Sequence, residues 1–236
     1  MRIGSIIDGL GQTGNAAAWT DEAIAAAMAS WRRRRDQCAR DMDRIALKGS
    51  PFAGEKTATI RGAVGDKQLL EWAEGYDGKS GALLIGPTGV GKSAAASLAL
   101  RGLIERHLST WEQHHPPTHQ TRYLWEAPRF LSLRWTSAVA IGAARRESQL
   151  GSRPTDLVRA EEPEVVVIDD LGWEQDAQTV IEVLAARYDA AKVTIATSGL
   201  GISALADRYG DSVVRRIFEG AGRKGRFVEA ERSETE

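Results

Sequence analysis

The segment GALLIGPTGVGKSAAASLAL, residues 81–100, determines the fold that this sequence predicts. It opens with GALLIG, a short apolar run that is typical of a buried strand. From Ser93 onward the apolar residues recur at helical spacing, which predicts a long helix. Three glycines, Gly86, Gly89 and Gly91, stand between the strand and the helix and allow the backbone to turn tightly. The segment therefore predicts a strand, a glycine-rich turn and a helix in direct succession.

The glycine-rich turn, GPTGVGKS, fits the phosphate-loop pattern G-x-x-x-x-G-K-[ST]. In that pattern the amide groups of the loop and of the helix start converge on a phosphate. The lysine neutralises the β and γ phosphates, and the hydroxyl that follows binds the magnesium that bridges them. The strand before the loop and the helix after it disfavour the alternative of a turn without nucleotide. The predicted ligands are ATP and Mg²⁺, and the predicted contact residues are Gly86, Pro87, Thr88, Gly89, Val90, Gly91, Lys92 and Ser93.

A second apolar run, VVVIDD at residues 165–170, ends in two carboxylates. A strand that ends in this way places its acids beside the phosphate loop of a neighbouring strand. Asp169 is then a magnesium ligand together with Ser93, and Asp170 orients or deprotonates the attacking water. An acidic turn after a buried strand is the simpler alternative, but the complete phosphate loop earlier in the chain favours the catalytic interpretation.

Helical and strand-like patterns alternate from about Asp66 onward, which predicts an α/β fold with a parallel sheet and helices on both faces. The five predicted strands are GALLIG (81–86), RFLSLRW (129–135), EVVVIDD (164–170), KVTIATS (192–198) and RFVEA (226–230). The predicted domain boundaries are residues 1–48 for a helical extension, 49–65 for a linker, 66–230 for the core and 231–236 for a tail.

The N-terminal extension contains one long predicted helix, which Thr20 can cap and which runs to about Leu47. Mostly apolar residues repeat along this helix at spacings of four and three and form a single seam. The seam either folds back on its own domain or, as a docking helix over residues 21–47, binds a partner protein. The linker that follows mixes Gly, Pro and polar residues without periodicity. The seam positions are Ile24, Met28, Trp31, Arg35, Cys38, Met42 and Ile45.

Composition narrows the classes of protein. Lys and Arg number 31 against 32 Asp and Glu, so nucleic-acid contacts depend on local patches such as WRRRR at residues 31–35. The single cysteine, Cys38, cannot form an internal disulfide and fits a reducing compartment. Without a signal peptide or a long apolar span, the chain is expected to be cytoplasmic and to avoid membranes. Two prolines within HHPPTHQ (114–120) favour a polar loop over a zinc site for the histidines between His107 and His119.

Two further segments follow the acidic strand, IEVLAARYDAAKVTIATSGL (181–200) and LADRYGDSVVRRIFEG (205–220). No guanine-reading NKxD element and no LSGGQ-like stretch accompanies them, which disfavours GTPases and transporter ATPases. In this order, and with GPTGVGKS and VVVIDDLG, they resemble the AAA+ ATPases of the DnaC and IstB type, which load bacterial replicative helicases or assist transposases. The resemblance covers roughly residues 66–227. Of its motifs, only the phosphate loop is a specific signal when taken by itself.

The resemblance implies a P-loop AAA+ core that hydrolyses ATP within a homo-oligomer. It places Thr197 and Ser198 at the end of a sensor strand, where a polar side chain touches the γ phosphate or the water. It also makes Arg216 the finger that acts in trans on the nucleotide of the next subunit. Arg187 of the RY pair either helps at that interface or braces the fold, and bracing is favoured.

The chain departs from the family pattern at several points. Asp170 stands where a longer Glu is common, which predicts slow hydrolysis. Gly199 stands where Asn is frequent, so Ser198 has to supply the sensor function. The cysteine-rich zinc module of some relatives is absent, so the N-terminal helix has to bind the partner. A separate lid domain does not fit after RFVEA, as in the compact loaders of the family.

Two roles remain open for such an ATPase. The favoured one is a helicase loader in DNA replication, whose subunits grip single-stranded DNA while residues 21–47 hold a replicative helicase. The alternative is an IstB-like helper that polymerises on duplex DNA and recruits a transposase. A small-molecule kinase and a nucleotide-binding scaffold with negligible turnover are further classes. Arg145 and Arg146 are surface candidates for DNA contact.

Overall fold

A parallel sheet of five strands forms the centre of the computed structural model, which describes residues 20–115, 127–147, 154–219 and 225–231. The strands are β1 Ala82–Ile85, β2 Leu133–Ser137, β3 Val165–Leu171, β4 Val193–Ser198 and β5 Arg226–Glu229. They lie in the order β2-β3-β4-β1-β5, and every neighbouring pair is parallel. The predicted α/β class with five parallel strands is confirmed.

Helices cover both faces of this sheet. Of the helices that the structure describes, none combines the length and the hydropathy needed to cross a membrane. They are α1 Asp21–Ala46, α2 Thr57–Gly62, α3 Lys67–Gly75, α4 Lys92–His114, α5 Ala138–Glu147, α6 Thr155–Glu161, α7 Ala177–Asp189, α8 Ile202–Tyr209 and α9 Asp211–Glu219.

The sheet separates two hydrophobic cores. Successive side chains of a strand point to opposite faces, so Leu84 packs with α1 to α4, whereas Leu83 and Ile85 pack with α5 to α9. All four residues of β1 are buried, as expected for a strand covered on both faces. The phosphate loop therefore follows a strand that is buried on both faces.

Strand β2 begins later than the sequence pattern predicts. The apolar run starts at residue 129, but the strand starts at Leu133, which lies opposite Val165, the first residue of β3. Residues before Leu133 have no partner strand beside them, because β3 does not extend that far. The ladder partner, rather than the local pattern, sets this boundary.

From Trp31 onward, α1 packs against α4 of its own domain. Trp31 stacks on Trp111 of α4 with ring centroids 5.8 Å apart. Arg35, the charged position in the seam, pairs with Glu105 and Glu112 at 2.6 and 3.2 Å. These contacts satisfy the charge of Arg35 within the subunit and fix the helix against α4.

Residues at the end of α1 belong to the core beside α4. Met42, Ala46 and Leu47 are buried, whereas Ile24 near the start of the helix is 48% exposed. Of the two uses predicted for the seam, the structure has the intramolecular one from Trp31 onward. A partner that binds residues 21–47 therefore has to contact the outward face of α1 or its first turns.

The segment predicted as a linker, residues 49–65, differs from that prediction. It contains α2, whose Ile60 is fully buried, and the nearby Val64 is also buried. Ser50 shares a buried hydrogen bond of 3.0 Å with Ser97 of α4. Six residues of helix offer too short a stretch for a periodic signal, so only the folded partners reveal that the segment packs into the core.

Candidate nucleotide-binding site

The phosphate loop between β1 and α4 depends on two glycines with positive φ. A Cβ on Gly86, at φ 143°, would lie 2.4 Å from the carbonyl oxygen of Ala230. A Cβ on Gly91, at φ 96°, would lie 2.6 Å from both the carbonyl oxygen of Ala63 and the Cα of Val64. The segment that contains Ala63 and Val64, which was predicted as a linker, thus forms one wall of the loop. Only glycine allows such a close approach.

The remaining loop residues divide between the surface and the core. Pro87, Thr88 and Gly89 are exposed, whereas the Val90 side chain is buried and the Val90 carbonyl accepts a hydrogen bond from the amide of Gly65. The tip of the loop is therefore open to a ligand while its base is fixed to the turn between α2 and α3.

Lys92 lies inside the phosphate loop. Its Nζ donates hydrogen bonds of 2.8 Å to the carbonyl oxygens of both Gly86 and Pro87. Burial lowers the pKa of Lys92, and the carboxylates of Asp170 and Asp169 oppose that shift. The geometry holds a partly desolvated ammonium group where a phosphate would meet the loop, which strengthens its attraction for an anion.

Asp169 connects the phosphate loop with the neighbouring strand. Its Oδ1 accepts hydrogen bonds from the Ser93 hydroxyl at 2.8 Å and from the Thr197 hydroxyl at 2.5 Å. Burial raises the pKa of Asp169, and these two hydrogen bonds counteract the rise. A hydroxyl and a carboxylate oxygen side by side are hard oxygen donors of the kind that Mg²⁺ takes alongside phosphate oxygens. Ser93 and Asp169 therefore fit the predicted metal.

Asp170 adopts an unusual backbone conformation next to Asp169. Its φ is 59°, in the left-handed region that Asp tolerates better than most residues. The pairing of β3 with β4 shifts register between Ile168 and Leu171, and the Asp170 amide donates to the Thr197 hydroxyl at 3.0 Å. Asp170 is exposed, and its carboxylate lies close enough to Lys92 to oppose the lowering of that lysine's pKa.

The two polar residues at the end of β4 have different surroundings. The Thr197 hydroxyl donates to the Asp169 carboxylate and accepts from the Asp170 backbone amide. Ser198 donates instead to the carbonyl oxygen of Leu171 at 2.7 Å and accepts from the amide of Leu200. The structure therefore brings Thr197 to the Asp169 carboxylate, whereas the Ser198 hydroxyl bonds the backbone of Leu171 and Leu200.

Sequence reasoning missed a buried carboxylate behind this site. Glu174 is 2% exposed and accepts hydrogen bonds from the Tyr209 hydroxyl, the Arg208 Nε and the amide of Gly172. The Gly172 amide also donates to the Tyr209 hydroxyl at 2.8 Å. No spacing rule relates residues that lie 35 positions apart, so the sequence gives no signal for this network.

Arg187 of the RY pair is a structural residue in this fold. Its side chain is 1% exposed and donates to the Thr194 hydroxyl and to the carbonyl oxygens of Ala160 and Pro163, each at 2.9 Å. Burial lowers the pKa of Arg187 to about 10. These contacts join α7 to the starts of β3 and β4, which agrees with the bracing role favoured for Arg187.

Arg216 lies near the N-terminal end of β1, whereas the phosphate loop follows the C-terminal end of β1. The carbonyl oxygen of its neighbour Ile217 approaches Gly81, just before β1, so closely that a Cβ on Gly81 would lie 1.9 Å away. The phosphate loop starts at Gly86, just after β1, and five residues of strand span about 16 Å. The Arg216 guanidinium carbon lies 5.0 Å from the ring centroid of Tyr188, at the end of α7. Within one subunit, the backbone beside Arg216 and the phosphate loop thus lie about one strand length apart.

Arg145, Arg146 and the histidines are the remaining residues that the sequence singled out. Arg145 is exposed and pairs with Glu182 at 3.2 Å. Among the described residues, no group of three His, Cys, Asp or Glu side chains could hold a metal ion. His107 contacts the carbonyl oxygen of Arg129 at 2.7 Å, and His119 and the side chain of Arg146 lie outside the described residues.

No protein-family model matches the sequence, and no curated protein matches it either. Several solved structures are similar in fold. The DnaC helicase loader has 20% identity over 69% of this chain and 86% of its own, with a TM-score of 0.45. DnaI has 16% identity over 81% of this chain and 90% of its own, with a TM-score of 0.44. AMPPCP-bound DnaA from Aquifex aeolicus has 16% identity over 73% of this chain and 44% of its own, with a TM-score of 0.40.

These similarities are distant, with at most 20% identity. The fold assignment therefore depends on the molecule itself. Five parallel strands, a glycine loop after the interior strand β1 and two acids at the end of β3 are all present in the structure. The chain thus has the α/β P-loop fold that its sequence predicts.

Proposed function

We propose that this chain is an AAA+ ATPase of the DnaC and IstB type that loads a replicative helicase onto single-stranded DNA. The observation that supports ATP hydrolysis most directly is the junction at Asp169. There one carboxylate accepts hydrogen bonds from Ser93 of the phosphate-loop helix and from Thr197 of the sensor strand. A buried carboxylate in that position suits a metal ion held between the loop and the strand.

Each residue of the junction has a distinct part in the proposed chemistry. Lys92 exchanges the two carbonyls that it now contacts for phosphate oxygens, and Ser93 and Asp169 hold Mg²⁺. When bound, the metal disperses the negative charge of the phosphates. Asp170 orients the attacking water, and Thr197 holds the Asp169 carboxylate and the Asp170 backbone through its hydrogen bonds.

The position of Arg216 supports an oligomer. A finger that stabilises transition-state charge has to touch the γ phosphate. Arg216 lies near the start of β1, and the phosphate loop of its own subunit follows the end of β1. The proposed contact is therefore with the nucleotide of a second copy.

Nucleotide binding is tested by exchanging Lys92. We expect Lys92→Ala to weaken ATP affinity at least tenfold in calorimetry, because the loop loses its buried positive charge. Lys48→Ala, which removes a lysine exposed at the protein surface, is the matched control and should bind ATP normally. Full-strength binding by Lys92→Ala would contradict the phosphate-loop assignment.

The loader role is tested by size-exclusion chromatography with ATP, single-stranded DNA and the replicative helicase of the same cell. Deleting α1 is unsuitable because Met42 and Leu47 are core residues. The double variant Arg33→Glu, Arg40→Glu changes exposed positions of α1 instead and should abolish co-elution. Lys79→Glu, in an exposed loop away from α1, should leave the complex intact. Stimulation by duplex DNA, with no complex even for the unaltered chain, would favour a transposase helper.

A further inference from the structure

The stack of Arg216 on Tyr188 has a geometry that suits control of the arginine. The 5.0 Å between the guanidinium carbon and the ring centroid lies within the range of a cation–π contact. Both side chains are half-buried, whereas the adjacent Arg215 is exposed. Among the described side chains, no carboxylate forms a salt bridge with Arg216. The contact that the structure describes for its guanidinium is the aromatic face of Tyr188.

Both members of this stack stand on rigid supports. Tyr188 directly follows Arg187, whose buried guanidinium bonds the starts of β3 and β4. On α9, Val214 and Ile217 are buried on either side of Arg216. The close approach of Ile217 to Gly81 fixes the end of that helix against β1. The backbones that carry the ring and the guanidinium are thus both anchored in the core, which favours a fixed relative position of the two groups.

A fixed position matters because a free arginine side chain loses considerable rotamer entropy when it is ordered. An aromatic face covers one side of the guanidinium plane and leaves the N–H groups at its edges able to donate to phosphate oxygens. The entropy loss is then met on folding rather than in the transition state.

We propose that Tyr188 is a positioning residue that holds the Arg216 guanidinium in the orientation in which it meets the nucleotide of a second subunit. This inference rests on the proposed function, in which Arg216 acts in trans. In this proposal Tyr188 acts only through Arg216 and has no direct part in the reaction. Its effect is confined to the rate of hydrolysis on the neighbouring subunit, so ATP affinity should not depend on it.

The test compares two replacements of Tyr188 in the full chain. Tyr188→Phe keeps the aromatic face and should retain the hydrolysis rate within about twofold, whereas Tyr188→Leu removes the face and should lower kcat about fivefold to tenfold. ATP affinity, measured by calorimetry, should be unchanged in both. A Tyr188→Leu variant with the kcat of the unaltered chain overturns the proposal, as does an equal loss in both variants.

Mixed oligomers separate a positioning defect from a folding defect. Tyr188→Leu has an intact phosphate loop, and Lys92→Ala has an intact Tyr188 and Arg216, so a mixture should recover hydrolysis. A mixture without recovery overturns the proposal.

The Arg216→Ala variant separates this inference from the function on which it rests. If Arg216→Ala also hydrolyses ATP at full rate, the trans arginine itself is wrong. If Arg216→Ala is impaired but Tyr188→Leu is not, only the role of Tyr188 is wrong.

Discussion

At the scale of single residues, the site depends on one buried carboxylate whose charge is costly for the fold. Asp169 is 6% exposed, and desolvation is the largest influence on its pKa, which is raised. The hydrogen bonds from Ser93 and Thr197 offset this only in part. Such a carboxylate is expected where metal binding matters more than stability.

We therefore predict that Asp169→Asn stabilises the protein while abolishing hydrolysis. Asn keeps an oxygen that accepts from both Ser93 and Thr197 but carries no charge that burial penalises. We expect the free energy of unfolding in urea to rise by about 1 kcal/mol at pH 7. Asp156→Asn, at a partly exposed carboxylate of α6, is a control that should change stability little. Reduced stability of Asp169→Asn would mean that the charge itself stabilises the fold.

The stability gain of Asp169→Asn should also depend on pH. Because the folded-state pKa of Asp169 lies above its ordinary value of 3.8, the folded protein holds this proton more tightly than the unfolded chain does. The unaltered protein therefore regains stability as the pH falls through the raised pKa towards 3.8. We expect the difference between the two proteins, measured by urea unfolding, to narrow between pH 7 and pH 4. A constant difference would contradict the raised pKa.

Asp170 permits a second prediction at this scale. Asn tolerates the left-handed backbone of this position about as well as Asp does, so Asp170→Asn tests the carboxylate without straining the loop. We expect kcat to fall about 100-fold with ATP affinity unchanged, because the water loses its base. A single-turnover rate of ATP hydrolysis equal to that of the unaltered chain would exclude Asp170 from this role.

Local sequence identified the residues whose chemistry depends on neighbours in the chain. The phosphate loop and the two acids were predictable because strand, turn and helix follow one another directly. Which hydroxyl of β4 reaches Asp169 was not, because two adjacent residues point in different directions and only the sheet register decides. In that register Thr197 lies opposite Leu84 and contacts the acid.

At the scale of elements, the loop after β3 is held by the end of α8. Glu174, Arg208 and Tyr209 connect the segment that carries Asp170 with the helix that precedes α9. The loop beside the nucleotide site is thus joined to the end of α8, two residues before α9 begins. Neither contact could be predicted, because each joins residues distant in sequence.

Removing one hydroxyl from this network should be costly. Tyr209→Phe deprives Glu174 of a donor and the Gly172 amide of an acceptor. We expect the protein to lose about 1–3 kcal/mol of unfolding free energy, because a buried carboxylate is left with fewer partners. Ser203→Ala, on the exposed side of α8, should be neutral. If Tyr209→Phe and Ser203→Ala were equally stable in thermal unfolding, the Tyr209 hydroxyl would not stabilise the fold through Glu174.

Helix α1 provides the corresponding prediction for the N-terminal region. Leu47, just after α1, is fully buried, so Leu47→Ala should cost about 3 kcal/mol through lost burial and the cavity that remains. Ile24→Ala, at an exposed position of α1, should cost less than about 0.5 kcal/mol. Urea unfolding of both variants checks this. A small effect of Leu47→Ala would mean that α1 does not belong to the core.

In the whole molecule, the two halves of the proposed active site lie at opposite ends of the strands of one sheet. The phosphate loop follows β1, and Arg216 lies beside the start of β1. The sequence alone suggested this division only through a family resemblance, because helical periodicity could not rank Arg215 against Arg216. The fold adds a physical reason, since strand β1 separates the arginine from the nucleotide site of its own subunit.

The most direct test of the account is ATP hydrolysis by a mixture of two inactive variants. Arg216→Ala retains the phosphate loop, and Lys92→Ala retains the arginine. Each alone should hydrolyse ATP slowly at every protein concentration. An equimolar mixture should recover a substantial part of the activity of the unaltered chain, because some neighbouring pairs then combine an intact loop with an intact finger. A mixture no more active than its separate components would contradict a nucleotide site completed by a second subunit.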